Sequence, residues 1–174
     1  AATPCNQDND VCTVDACNGS GACVLDEPLD CSDSSACTQD TCHPLNGCQH
    51  SGSPALTCLP GTKAILKVRD NATVNSGDSV KFIWKGGPSL IPNMGDPTQT
   101  TSYELCVYDD TGVQLAMNVP PGPGWSVLGS PSSPKGYKFK DTTGANDGVT
   151  QIKTKGSSLD KAQVKVIAKG ENVP

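Results

Sequence analysis

The sequence predicts a mainly β protein, with a small disulfide-rich tandem-repeat module over residues 1–58 followed by an antiparallel β-sandwich over residues 59–174. Three observations carry that prediction. Nine of the ten cysteines lie in the first third of the chain, and eight of them fall into a repeat. From Lys63 onward, apolar and polar residues alternate with a period of two, the mark of half-buried strands. Gly (18) and Pro (14) are plentiful and aromatic residues make up only 4%, which favours turns over long helices and excludes a large aromatic core.

In the first module, Cys12-Thr13-Val14-Asp15-Ala16-Cys17 recurs as Cys37-Thr38-Gln39-Asp40-Thr41-Cys42, so both copies read C-T-x-D-x-C. Five residues then lead to Cys23 and to Cys48, and Cys5 and Cys31 precede the blocks. An even total at regular spacing predicts a disulfide framework made in an oxidising compartment, using Cys5, Cys12, Cys17, Cys23, Cys31, Cys37, Cys42, Cys48, Cys58 and Cys106. The two copies contribute four cysteines each, which leaves Cys58 and Cys106 as the odd pair, a bridge that would join the modules. Apolar residues are so few here that burial cannot offset chain entropy. Cross-links must, at about 3 kcal/mol for each loop of about 15 residues. Thr13, Thr38, Asp15 and Asp40 suit the capping of backbone N–H groups in a tight turn, and Gly21 and Gly47 suit turns of positive φ.

In the second module, Val80, Phe82 and Trp84 alternate with Lys81, Ile83 and Lys85, and Tyr103, Leu105 and Val107 with Glu104, Cys106 and Tyr108. Val113 to Val119 and Ala162 to Ala168 form two further series, and Ile65–Arg69, Tyr137–Lys140 and Val149–Thr154 are shorter strands. Asp109-Asp110-Thr111-Gly112 predicts a hairpin turn. Seven or eight strands predict the sandwich. Leu159–Ala162 is expected to make one helical turn, and the Pro- and Gly-rich stretches 86–101 and 120–136 are expected to be long loops.

Residues 1–62 contain eight acidic residues and no Lys or Arg, a net charge of −8; residues 63–174 carry all 13 basic residues and a net charge of +3. The switch marks a module boundary. The basic residues read as spread along alternating strands, so nucleic acid is not an expected partner. No apolar run approaches the roughly 20 residues of a membrane span. Ala1-Ala2-Thr3-Pro4 is expected to be a start left by cleavage.

The C-T-x-D-x-C blocks, with their flanking Cys, acidic and Gly-Cys positions, resemble the cysteine repeat of slime-mould extracellular-matrix proteins, which also occurs in large secreted proteins of myxobacteria and related bacteria. The resemblance covers residues 5 to 58 in two copies. The first copy departs by one extra residue between Cys5 and Cys12 and by a glycine two residues before Cys23. Residues 134–140 (PKGYKFK) and the run to Lys169-Gly170 are similar to an uncharacterised β domain of such bacterial surface proteins. The resemblance implies a matrix or surface protein rather than an enzyme.

Among chemical signals, Asn6, Asp8 and Asp10 have the 1, 3, 5 spacing of a calcium loop, but Val11 stands at the turn glycine and Cys17 at the bidentate Glu. Weak calcium binding by an acidic surface that includes Asp8 and Asp10 is the remaining expectation, and no other cofactor is expected. Cys37 and Cys42-His43 approach a c-type haem attachment, yet the sister block has Asn18 in place of His43, so bridges account better for the cysteines than haem or zinc does. No nucleophile elbow, H-E-x-x-H, phosphate loop or dinucleotide fingerprint occurs, and no enzymatic activity is expected. Trp125, in a Pro-Gly loop, is the candidate ligand-binding residue, to be weighed against a lid over the core. Asn18-Gly-Ser and Asn71-Ala-Thr are glycosylation sequons, meaningful only in a eukaryotic host. The expectation is a secreted, non-catalytic structural or interaction protein of an extracellular matrix, cell surface or filament, associating with itself or with other surface proteins. The alternative is a carbohydrate-binding or adhesin module that uses Trp125 and the 86–101 loop.

Overall fold

The fold is that of a computed structural model, which describes residues 5, 6, 8–53 and 58–174. The expected processed start, Ala1–Pro4, lies outside the described residues. The chain is mainly β and divides into two compact units. The first comprises Ala1–Pro54 and Tyr108–Val113, and the second Ala55–Val107 and Gln114–Pro174. The division expected after residue 58 falls after residue 54, and a hairpin tip from the later sequence groups with the first unit.

The first unit contains two hairpins that the cysteine spacing alone did not predict. Strand β1 (Thr13–Cys17) pairs with β2 (Cys23–Pro28), and β3 (Gln39–His43) with β4 (Gly47–Ser51), all antiparallel. The registers are equivalent: Cys17 faces Cys23 and Cys42 faces Cys48. Gly21 (φ 78°) and Gly47 (φ 75°) supply the left-handed backbone of the reversals, as predicted. The apolar side chains Val11, Val14, Val24, Leu29 and Leu45 remain exposed. Bridges Cys5–Cys23, Cys12–Cys42 and Cys31–Cys48, spanning 18, 30 and 17 residues, replace a core; each contributes about 3 kcal/mol by restricting the unfolded chain. The Tyr108 hydroxyl donates to the Cys37 carbonyl at 3.0 Å and fastens the Tyr108–Val113 tip within this unit.

In the second unit, β5 (Lys63–Arg69), β6 (Ser79–Ser89), β9 (Trp125–Ser130), β10 (Ser133–Lys140), β11 (Val149–Lys155) and β12 (Ser157–Lys169) form a six-stranded sheet in the order β5-β6-β12-β11-β10-β9, antiparallel throughout. Strands β7 (Tyr103–Asp109) and β8 (Gly112–Val119) form a separate two-stranded sheet. Val80, Ile152, Val166 and Ala168 of the large sheet share one core with Met117 and Val119 of β8, and Tyr103, Leu105 and Val107 of β7 pack against it. The sandwich is therefore unequal, six strands covered by a hairpin. At the turn, the Thr111 amide and hydroxyl both donate to Asp109 Oδ1 at 2.7 Å.

Three local expectations are corrected. The 120–136 stretch is not one loop but holds β9 and the start of β10, because Val127 and Leu128 pair with Tyr137 and Gly136. In the 86–101 stretch, Gly86–Ser89 continues β6 and Ile91–Met94 makes a 3-10 turn that buries Met94. Leu159–Ala162 is no helical turn: it lies in β12, where a pairing irregularity, with Asp160 at φ 50°, absorbs the surplus residues.

A polar contact closes the core. Gly136 (φ 150°) lies so near the Thr154 carbonyl that any side chain would strike it. The neighbouring Tyr137 amide leaves the ladder and donates to the Thr154 hydroxyl at 3.0 Å, with Thr154 fully buried. Thr154→Val, which strands that amide, should cost about 1–3 kcal/mol. Phe139→Ala, at a side chain only 1% exposed, should cost about 3–5 kcal/mol. Urea unfolding of the two variants against the parent checks both.

Candidate functional site

Alternation in the six-stranded sheet sends Val80, Phe82, Val164, Val166, Ile152 and Phe139 toward the core. The residues between them form the other face, and the register aligns them in rows. One row crosses all six strands: Ile65, Ile83, Lys165, Lys153, Lys138 and Ser126. On one side runs Lys63, Lys85, Gln163, Lys155; on the other runs Lys67, Lys81, Ile167, Gln151, Lys140, and beyond it Arg69, Ser79, Lys169. All of the 13 basic residues except Lys135 and Lys161 stand in these rows, and no Asp or Glu does.

The face is electrostatically uncompensated. Lys63 stands opposite Lys85, Lys67 opposite Lys81, and Lys153 between Lys165 and Lys138. Like charges directly opposite one another are destabilising, and neighbouring strands lie only about 4.8 Å apart. Among the described residues, no carboxylate forms an ion pair with any of these side chains. Two shallow depressions mark one end of the face. One, of about 440 Å³, is bordered by Lys67, Arg69, Lys81 and Lys169; the other, of about 390 Å³, by Lys140, Gln151, Lys169 and Asp141. The Asp141 carboxylate is held by the hydroxyl and amide of Thr143 and the amide of Ala145 (2.7, 2.8 and 2.9 Å), which keep its pKa below the usual carboxylate value. The sequence reading missed this face by judging the lysines spread out. Their signal was parity, because each lies at the strand positions that the apolar residues leave.

The first unit has the opposite character. It holds ten of the 18 acidic residues and none of the 13 basic ones, a net charge of −10, whereas the second unit stands at +5. Asp109 and Asp110 of the hairpin tip belong to the acidic unit.

Asp8 and Asp10, the predicted calcium residues, close their own loop. Asp8 Oδ1 accepts from the Asp10 amide (2.9 Å) and Thr13 hydroxyl (3.4 Å), and Asp10 Oδ1 from the Cys12 amide (2.8 Å). The second copy repeats the design: Asp33 Oδ1 accepts from the Ser35 amide and Thr38 hydroxyl (both 2.8 Å), and Ser35 Oγ from the Cys37 amide (3.1 Å). Ser35 at the Asp10 place shows that this position needs an acceptor, not a charge. Beside it, Asp33, Asp40 and His50 bring potential ligand atoms within 4.8 Å of one another, with His50 Nδ1 2.8 Å from Asp40 Oδ1 and 3.6 Å from Asp33 Oδ2. The first copy has Leu25 where His50 stands, so this cluster is not a property of the repeat.

Of the ten predicted half-cystines, eight are oxidised: the six in the bridges above, Cys37 and Cys106. Cys17 and Cys58 are thiols, which corrects the expected Cys58–Cys106 bridge. Trp125 is not presented to solvent. It is 8% exposed, its Nε1 donates to the Pro120 carbonyl (3.0 Å), and its ring centroid lies 5.0 Å from that of Tyr103 and 5.3 Å from that of Phe139. Burial explains that placement, since the indole is the largest apolar group available to close the core. The aromatic side chains at a cleft are instead Trp84 and Tyr103, which line an open hollow of about 470 Å³ with Met94, Glu104 and Thr154. The Tyr103 hydroxyl donates to the Met94 carbonyl (2.9 Å), and burial pushes its pKa up to about 12.

Among the described residues, no helix is long and apolar enough to cross a membrane. Comparison with protein-family models, curated proteins and solved structures finds no match to this chain.

The His50 contacts have a pH signature. The hydrogen bond to Asp40, aided by the charges of Asp33 and Asp40, raises the His50 pKa above 6.5. Its stabilising effect is therefore complete below pH 6.5 and is lost as pH rises through the folded value. Asp33 is lowered from 3.8 by the Ser35 amide, the Thr38 hydroxyl and His50, so its effect is present above pH 3.8 and is lost as pH falls through its folded value. An NMR titration of the His50 ring should give a midpoint above 6.5, moving down toward 6.5 in Asp40→Asn.

Proposed function

We propose that this is a non-catalytic structural and interaction protein of an extracellular matrix or cell surface, whose copies associate by seating the acidic first unit of one on the basic sheet face of the next. The observation that carries it is the uncompensated lysine face, on the same chain as a unit of charge −10. Opposite fields steer such encounters, and a contact between two different surfaces builds open assemblies unless its rotation closes a ring. The disulfides support an oxidising location. The resemblance to the matrix-protein repeat points the same way. A role without catalysis is supported by the engagement of both histidines in hairpin structure: His43 Nδ1 accepts from the Leu45 amide, and His50 pairs with Asp40.

A carbohydrate-binding module is the second reading. The hollow lined by Trp84 and Tyr103 favours it, because an apolar wall with an aromatic face suits a sugar ring.

Light scattering across a salt series separates the two. Association should be strongest at low salt and weaken toward physiological salt, where exposed charges are screened beyond about 8 Å. The Lys153→Glu/Lys165→Glu variant should stay monomeric. A parent chain monomeric at low salt but retained on a glycan array, with retention lost in Trp84→Ala, would favour the second reading instead.

A further inference from the structure

The two repeat copies fold alike but are not bonded alike. In the second, Cys42 on β3 is bridged to Cys12, the second cysteine of the first copy. Around that bridge the Val11 amide donates to the Pro44 carbonyl at 2.9 Å, and Val11 Cγ2 lies 3.8 Å from where a side chain on Gly47 would begin. The segment leading into one C-T-x-D-x-C block thus docks on the hairpin of the following copy, and its cysteine closes the contact.

Among the described residues, no other segment meets the turn of the first copy's hairpin as Val11 meets that of the second. Cys17 faces Cys23 as Cys42 faces Cys48, and Cys23 is bridged to Cys5 as Cys48 is to Cys31. Gly19 holds the place of Pro44, and among the described residues no group donates to its carbonyl. A side chain built at Gly19 or at Gly21 would meet nothing within 4 Å. Cys37, which holds in the second copy the place of Cys12, is oxidised as Cys12 is. Of the four cysteines in the two blocks, only Cys17 is a thiol, and it is partly exposed.

We propose that Cys17 and the open turn of the β1–β2 hairpin form a covalent docking site for a further copy of the repeat, whose cysteine at the Cys12 position bridges Cys17 as Cys12 bridges Cys42. The ligand is a short acidic segment in which a small apolar side chain, Val11 here, precedes the cysteine. The bond forms by thiol–disulfide exchange. The Cys17 thiol loses its proton, and the thiolate attacks the sulfur of an incoming cysteine held in a mixed disulfide with glutathione. The new S–S bond forms as the old one breaks, and glutathione leaves as a thiolate and takes up a proton. No electrons are gained or lost overall. The site does not depend on the basic face, so either proposal can fail alone.

The test uses the full chain and a peptide of residues 8–14, supplied as its glutathione mixed disulfide, beside a scrambled peptide of the same composition. Capture is read by mass spectrometry of proteolytic fragments under non-reducing conditions. The native peptide should be captured on Cys17 about tenfold faster than the scrambled one, the preference that about 1.4 kcal/mol of docking supplies. A Val11→Asp peptide should fall to the scrambled rate, Cys17→Ser should abolish capture, and Cys58→Ser should leave it unchanged. Equal rates for native and scrambled peptides, capture on Cys58, or a Cys17–Cys58 bridge within the chain would overturn the proposal.

Discussion

In a β-strand successive side chains point to opposite faces, and the second unit depends on that constraint more than on any single contact. In each central strand the same alternation builds two surfaces at once. Val80 and Phe82 enter the core while Lys81 and Lys85 leave it; Val164 and Val166 enter while Lys165 leaves. A slip of one residue in the β6–β12 register would bury lysines and expose the core, so the core also fixes the register of the charged face. The basic rows are then as ordered as the apolar ones, although few contacts of their own hold them.

The first unit meets the same entropy by other means. Its apolar side chains remain largely exposed, and its fold rests on bridges and on short polar loops that satisfy their own amides. Asp8 and Asp33 take identical roles before the two blocks, and Asp10 and Ser35 interchange. Much of the acidity near the blocks is therefore turn chemistry, and its charge is carried along with the acceptors that the loops need. Asp40 fits this description, since its Oδ2 accepts from the Asp33 amide at 3.2 Å.

Legibility in the sequence followed the range of each interaction. Strands read from alternation lie where they are expected, although β6, β10 and β12 run on by several residues into stretches read as loop or turn, and the Asp109–Gly112 turn and the Gly21 and Gly47 reversals are local features that local reading reached. Strand β9 was missed because Pro and Gly crowd its flanks, and the pairing with β10 that stabilises it is invisible in composition. Trp125 was misplaced for a related reason: its neighbours in sequence describe a loop, whereas its neighbours in space are Tyr103 and Phe139. The disulfide pattern was legible as a framework but not in its pairing, because Cys12 bonds outside its own copy. The basic face needed strand order, since Lys138, Lys153 and Lys165 adjoin only once β10, β11 and β12 are known to be neighbours.

The lysines on this face have a competing explanation, the protection of exposed strand edges against unwanted pairing. It suffices for Lys63, Lys67 and Arg69, which lie on the edge strand β5. It fails for the centre of the sheet. Lys153 and Lys165 lie on β11 and β12, whose backbone groups are paired on both sides, while the other edge strand, β9, has no basic residue at all. The ladder Lys138–Lys153–Lys165 therefore places like charges where edge protection does not require them, at a cost of up to about 1 kcal/mol for each opposed pair. Polar uncharged residues would have kept the face soluble without that repulsion, as Gln151 and Gln163 do in neighbouring rows. A repulsion that serves neither the core nor the edges is relieved when anionic groups cover the face, and the central lysines are the ones whose repulsion such a cover would relieve most.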